Sequence, residues 1–406
     1  IKKGFVVADI RLEFDESGNI KNNYKFNGLI KDGYINLFKK YSLNKIDFIF
    51  EINKNGLTLN DIKLLLNNNN ILIPELIASK LSNEYSISGK LNTENTSLTK
   101  NEINNLINDE ILGLDIEDIL FNSKNNFEFK INKKLKVKNL NIKSDINIQE
   151  LNLKNSLELK DIFPKIKKNI IFKNHKIKLE YKKNNLDING KGNIFLQNKA
   201  DNIEYKVNKR KTEVKFNTTL NILKNPFKID LLNYKKNINS DLKLNLQGKS
   251  KVKEKLVFDE FSLIEKNNII SVKNLVISSN NKINDLGNIN FDYVDEENLK
   301  NNLQITKKNK DYLISGNSFN ISKIIDKLLN SKNNKKSEFF DKDVKFFFDI
   351  EKIFLDKDNN INDLKGFLSL KKNEISELNL ESKFSNQKNI KLTISNNGEE
   401  KITTLF

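Results

Sequence analysis

Apolar and polar residues alternate with a period of two from one end of this chain to the other. Near position 50 the apolar row is Ile46, Phe48, Phe50 and Ile52, with Asp47, Glu51 and Asn53 between; Ile49 breaks the polar side. The longest row starts at Phe127 and runs through Phe129, Ile131, Leu135, Val137, Leu140, Ile142, Ile146, Ile148, Leu151, Leu153, Leu157 and Leu159. Lys, Glu, Asn, Asp and Gln fill most of its gaps. The alternation returns at Ile177 and Leu179, at Val214 and Phe216, at Leu242, Leu244 and Leu246, and at Ile289 and Phe291. Successive side chains of a strand point to opposite faces, so each run predicts a strand with one oily and one wet face.

Short polar breaks such as Asn53-Lys54-Asn55-Gly56 and Lys183-Asn184-Asn185 carry turn chemistry. They predict antiparallel neighbours, because a parallel crossover needs roughly a dozen residues or more. Three segments depart from the rhythm. Positions 98–120, with Ile103, Leu106, Ile107, Ile111 and Leu112, suggest a helical excursion. Ile321, Ile324, Ile325, Leu328 and Leu329 follow helical spacing and predict a short helix over 320–330; the Lys/Asn run at 331–337 reads as a mobile loop. No run reaches the ~18 consecutive apolar residues of a membrane-spanning helix.

At about 12 to 16 residues per strand and turn, the chain accommodates roughly 25 to 33 strands, more than a compact sandwich uses. The expected fold class is therefore all-β: a long, strongly curved antiparallel sheet, a half-pipe or β-taco groove, with one or two short helices. It would run as a single elongated region over 1–406, its groove lined by the apolar rows named above apart from Leu135. Composition fits a face that never fully closes. Hydrophobic residues make up 37% and mean hydropathy is −0.56, thin for a packed globule, yet Ile, Leu and Phe are too frequent for a disordered chain. The Ile1 start and the absence of Met suggest a fragment of a longer chain.

The net charge of +17 raises the question of nucleic acid. Its source is Lys dispersed along the strands, with only Arg11 and Arg210 able to make forked phosphate contacts, and the pattern puts Phe and Lys on opposite faces. No nucleic-acid partner is expected. Nor is catalysis. His175 is the sole histidine and reads as an exposed residue at a strand start; with no Cys in the chain, neither a triad nor a zinc site of the usual kinds can form. Asp356-Lys357-Asp358-Asn359-Asn360 resembles a calcium loop, but Ile361 and Phe367 occupy its glycine and glutamate positions, so it reads as a turn. Gly190-Lys191-Gly192 and Gly316-Asn317-Ser318 lack a phosphate-loop continuation and read as bulges or tight turns, and Asp295-Glu296-Glu297 as a solvated loop. No catalytic residue, metal or cofactor is expected.

Tyr312-Leu313-Ile314-Ser315-Gly316-Asn317-Ser318-Phe319-Asn320-Ile321 and the helix after it resemble a passage of AsmA-like proteins of the YhdP and TamB type in alphaproteobacteria. Asn225-Pro226-Phe227-Lys228-Ile229-Asp230, Leu242 to Gly248, Asn362-Asp363-Leu364-Lys365-Gly366 and Ile402-Thr403-Thr404-Leu405-Phe406 are similar to that family's middle and C-terminal parts. The chain departs at Asn320, where the family pattern suggests Asp. The resemblance implies a periplasmic protein anchored to the inner membrane through a segment missing here; the chain is expected to be monomeric. It also implies bridge-like phospholipid transport, with acyl chains in the groove and the inner and outer membranes at its ends. The alternative is a structural or adhesive β-sandwich or solenoid with a dry core.

Overall fold

The computed structural model describes residues 3–37, 41–67, 69–106, 115–134, 136–156, 158–251, 255–330, 339–397 and 400–405. Among them the chain is all-β: 26 strands and two short α-helices, with 24 strands in one mixed sheet. Where the sequence pattern offers no boundary, contacts divide the chain into two compact units. Unit 1 is Ile1–Asn155, Lys168–Ile194 and Lys206–Lys211; unit 2 is Ser156–Lys167, Phe195–Tyr205 and Thr212–Phe406.

Unit 1 contains β1 (Lys3–Arg11), β2 (Lys25–Leu37), β3 (Tyr41–Asn53), β4 (Gly56–Leu66), β5 (Asn69–Lys80), β6 (Glu84–Thr99), β7 (Ile116–Asn132), β8 (Val137–Lys154) and β9 (Asn169–Lys182). Each pairs antiparallel with the next. β10 (Asn185–Phe195) continues from β9 and, like β11 (Asp201–Arg210), supplies residues to both units. The β9–β10 turn carries Lys183 and Asn184 at φ 50° and 63°, the paired left-handed residues of a hairpin turn that follows strand twist. On the wet face, opposed pairs such as Lys173–Glu150 at 2.8 Å and Lys143–Glu180 at 3.5 Å join neighbouring strands. Exposed pairs of this kind contribute about 0–1 kcal/mol each, so they tune pairing more than they create it.

The helical excursion expected over 98–120 is shorter than expected among the described residues, with strand at both of its ends. Only α1 (Lys100–Leu106) is helical; residues 98–99 end β6, 116–120 begin β7, and 107–114 lie outside the described residues. A capping box starts α1: the Thr99 backbone N–H and hydroxyl both donate to Glu102 Oε2, at 2.9 and 2.8 Å. These bonds hold the Glu102 carboxyl below its ordinary pKa.

Unit 2 contains β12 (Glu213–Ile222), the two-residue strands β13 (Lys228–Ile229) and β14 (Tyr234–Lys235), β15 (Leu242–Lys251), β16 (Leu256–Glu265), β17 (Asn268–Ile277), β18 (Ile283–Asp285), β19 (Asn288–Val294), β20 (Lys300–Lys308) and β21 (Asp311–Asn320). After α2 (Ser322–Asn330) come β22 (Val344–Phe354), β23 (Asn360–Lys371), β24 (Glu374–Phe384), β25 (Asn389–Asn397) and β26 (Glu400–Leu405). Pairing is antiparallel with one correction to the expected topology: β21 and β22 run parallel. Residues 321–343 make that crossover possible, being long enough to carry the chain back past β21. The helix starts at Ser322 instead of 320, because Asn320 still belongs to β21 and its Oδ1 accepts the Ser322 N–H at 3.0 Å. The loop read at 331–337 lies outside the described residues.

One apolar row crosses β12, β15, β16, β17, β19 and β20 without a break. Leu220 faces Leu244, which faces Leu263, then Ile270, Phe291 and Leu303. All six are buried, Leu263 completely. Phe163, Phe227, Tyr234 and Tyr293 stack edge-to-face beside this row, with centroids 5.5 to 6.4 Å apart. Tyr234 donates to Glu265 Oε2 at 2.6 Å and Tyr293 to the Leu232 carbonyl at 2.7 Å, so the rings are buried with their hydroxyls satisfied.

Two polar groups expected at the surface are inside. Asp295, read as part of a solvated loop, is buried and accepts the backbone N–H groups of Glu297 and Leu299 at 3.0 and 2.9 Å. Asn320 Nδ2 donates to Asp295 Oδ2 at 2.8 Å and to Glu297 Oε2 at 3.1 Å. An Asp at 320 would set three carboxylates together, which favours the neutral amide there. His175, read as exposed, is 1% exposed in the middle of β9, edge-on to Phe172 at 5.3 Å. Gly192 makes room for it: a Cβ there would stand 2.5 Å from His175 Nδ1.

Burial depresses the His175 pKa below the usual histidine value. A ring kept neutral in the fold contributes stability fully above about pH 6.5 and loses it as pH falls through that value toward the depressed pKa. Thermal unfolding should therefore shift to lower temperature between pH 7 and 5.5, and His175→Phe should flatten that slope. An NMR titration of the sole imidazole gives the direction independently: its folded-state midpoint should lie below 6.5.

Candidate functional site

The apolar face of unit 1 is built by register. β7 sets Phe121, Ser123, Asn125 and Phe127 opposite Ile148, Ile146, Ser144 and Ile142 of β8, and β9 continues the four rows with His175, Ile177, Leu179 and Tyr181. Two steps of three in the sequence row, Val137 to Leu140 and Ile148 to Leu151, should flip the face in a regular strand. Bulges absorb both. Between Lys130↔Lys138 and Glu128↔Asn141, β8 carries an extra residue, with Asn139 at φ 52°; between Leu120↔Glu150 and Phe121↔Ile148 the extra residue is Gln149. Each insertion restores the apolar side chains to one side and bends the strand.

Glycines shape the same face. Gly89 lies opposite Phe127, and Gly28 opposite Phe50. A Cβ on Gly89 would sit 2.7 Å from the Phe127 ring and 2.9 Å from the Glu75 carbonyl oxygen. The ring thus lies over its cross-strand glycine, where no other side chain fits. Phe127 and Phe129 stack at 6.0 Å along β7.

Beside these rings is an open depression of about 540 Å³, lined by Leu91, Asn125, Phe127, Phe129, Leu140, Ile142, Ser144 and Leu179. Five of the eight belong to the rows read from sequence. Leu91, Asn125 and Ser144 do not, and only their parity with Phe127 and Ile142 could have pointed to them. None of the eight is charged. The residues that line it are half-buried, apart from buried Ser144.

Other residues of the expected groove have different surroundings. In unit 1, Ile46, Phe50 and Ile148 are buried, while Phe48, Ile131, Ile146, Leu151, Leu153 and Ile177 are half-buried. Ile52 and Val137, also assigned to the lining, are exposed: each lies at a strand end, where packing neighbours run out on one side. In unit 2, Leu242, Leu244 and Phe291 belong to the packed core; Leu159, Val214, Phe216, Leu246 and Ile289 are half-buried. Leu157 lies outside the described residues.

No protein-family model, curated protein or solved structure matches this chain. Among the described residues no group of three or more His, Asp or Glu side chains could hold a metal, and no helix is long and apolar enough to cross a membrane. The site is thus defined by its geometry alone: an uncharged, half-open hydrocarbon surface with two polar side chains in it.

The close approach at Gly89 gives a direct check. Gly89→Ala should destabilise unit 1 by about 1–3 kcal/mol through overpacking against the ring and the Glu75 carbonyl, measured as a lower midpoint in urea unfolding.

Proposed function

We propose that the chain binds the hydrocarbon tails of phospholipids along the apolar face of unit 1 and passes them between membranes. The observation that carries this reading is the open, uncharged depression around Phe127, Phe129 and Ile142, where large apolar side chains remain half-buried. Exposed apolar surface of this extent is normally covered by a partner, a membrane or a ligand. A surface without charge or directional groups along most of its length suits a chain of methylenes, while a headgroup stays in water. The resemblance to AsmA-like proteins supplies the setting of the proposal: the periplasm, an inner-membrane anchor outside this sequence, and the outer membrane as destination. No catalytic step belongs to this reading.

Unit 2 favours a second, structural role for its own part of the chain. The row from Leu220 to Leu303 is sealed, and its rings and polar groups interlock as in a dry core. Unit 2 then serves as a rigid body and unit 1 as the hydrocarbon-bearing surface.

Charge placed on the open face tests the assignment. Ile142→Asp and Phe129→Lys should each lower the phospholipid retained by the purified chain at least tenfold, read by native mass spectrometry, because an unpaired charge against hydrocarbon costs several kcal/mol. Circular dichroism should remain that of a folded β protein. Folded variants that retain as much phospholipid as the wild type would sink the reading.

A further inference from the structure

We propose that Asn125 and Ser144 form a polar station within the hydrocarbon face, selective for long-chain lipids that carry a neutral hydroxyl or secondary amide. The inference rests on the hydrocarbon-binding reading and adds a ligand class to it.

The two residues face each other across β7 and β8, in a row that runs from Leu91 through Asn125 and Ser144 to Leu179. All four line the depression. Both amide hydrogens of Asn125 are used: Nδ2 donates to the Leu91 backbone carbonyl at 2.9 Å and to Ser123 Oγ at 2.8 Å. A carbonyl oxygen can only accept, which fixes the amide orientation and leaves Oδ1 as an acceptor. Ser123 is held in turn by Thr93, with 2.9 Å between the hydroxyl oxygens. The amide is therefore positioned from behind by a buried network.

Ser144 is 9% exposed, and no described residue hydrogen-bonds its hydroxyl. In this face it stands beside an acceptor that is also uncommitted. One donor and one acceptor, side by side in an uncharged pocket, match a ligand group that offers both. A hydroxyl or a secondary amide does so. A carboxylate does not: it only accepts, and no cation among the lining residues balances it. A saturated hydrocarbon segment offers neither, so it can lie across the station without satisfying it.

The test compares two probes of equal chain length on the whole chain: a long-chain primary alcohol and its methyl ether, which keeps the oxygen but lacks the donor hydrogen. Bound fractions are read by native mass spectrometry over a concentration series. The wild type should hold the alcohol about tenfold more tightly than the ether. Ser144→Ala should weaken alcohol and ether alike, by about three- to tenfold, because the Ser144 hydroxyl donates to the oxygen both probes carry, and should leave their ratio near tenfold; an unaltered melting temperature shows that the fold is intact, and ether binding unchanged in this variant would overturn the donor's role. Equal binding of both probes by the wild type would overturn the station and leave the hydrocarbon-binding reading standing. Binding of neither probe, with no phospholipid retained, would overturn both. A long-chain carboxylate bound more tightly than the alcohol at neutral pH would overturn the ligand class.

Discussion

The antiparallel backbone ladder is the interaction on which everything else in this molecule depends. Within it each interior strand finds partners for its N–H and C=O groups on both sides, so the polar backbone is satisfied whether or not a face is covered. An oily face can then persist half-open without leaving orphaned backbone groups behind it. In unit 1 the ladder from β1 to β9 follows sequence order, each strand pairing with the next. Unit 2 uses the same ladder and adds a sealed core, in which Ile222, Leu242 and Leu263 have no exposed surface.

A ladder imposes parity, and parity governs the site. One extra residue in a strand would send every following side chain to the wrong face. β8 has two such residues, and both fall where the apolar row skips a step, so Leu140, Ile142, Ile146, Ile148 and Leu151 remain on one side. Glycine solves a different problem. Phe127 spreads over Gly89 because that position has no side chain, and the ring thereby forms part of the depression wall. Strand-interior glycine is ordinarily unfavourable; here the ring covers the backbone that glycine leaves bare.

Period two made the strands, their faces and most hairpins legible in the sequence, because each depends on local geometry. What stayed hidden depends on partners distant in sequence. His175 stands between Lys and Asn residues and looks exposed, yet Phe172 and a gap left by Gly192 bury it. Asp295 sits among acidic residues, but Asn301 and Asn320 bring donors to it from β20 and β21. The parallel pairing of β22 was likewise beyond local pattern, since only the length of 321–343 hints at it. The capping box Thr99-x-x-Glu102 was the exception, a local signal lying in plain view under a helix expected to be longer. At the site, aromatic and aliphatic rows pointed to Phe127 and Ile142. Asn125 and Ser144 carry no such signal, and only register places them on the oily side.

The two units differ in how their apolar surface is removed from water, and the role proposed for unit 1 rests on that difference. Along the unit 2 row from Leu220 to Leu303 neighbouring side chains already remove it, so a hydrocarbon ligand there would have to displace packed groups. In unit 1 the surface around Phe127 is still wet, and a ligand tail gains about 25 cal/mol for each Å² of apolar area it covers. That gain is non-directional: it grows with tail length and changes little when a tail slides by one methylene. A hydrocarbon face alone would therefore bind without fixing position. A donor and an acceptor at a single row break that indifference, so a lipid with a matching polar group has one preferred resting point while an unmatched tail passes over it. On the proposed reading, retention and passage then coexist on the same face, decided by the ligand's own chemistry.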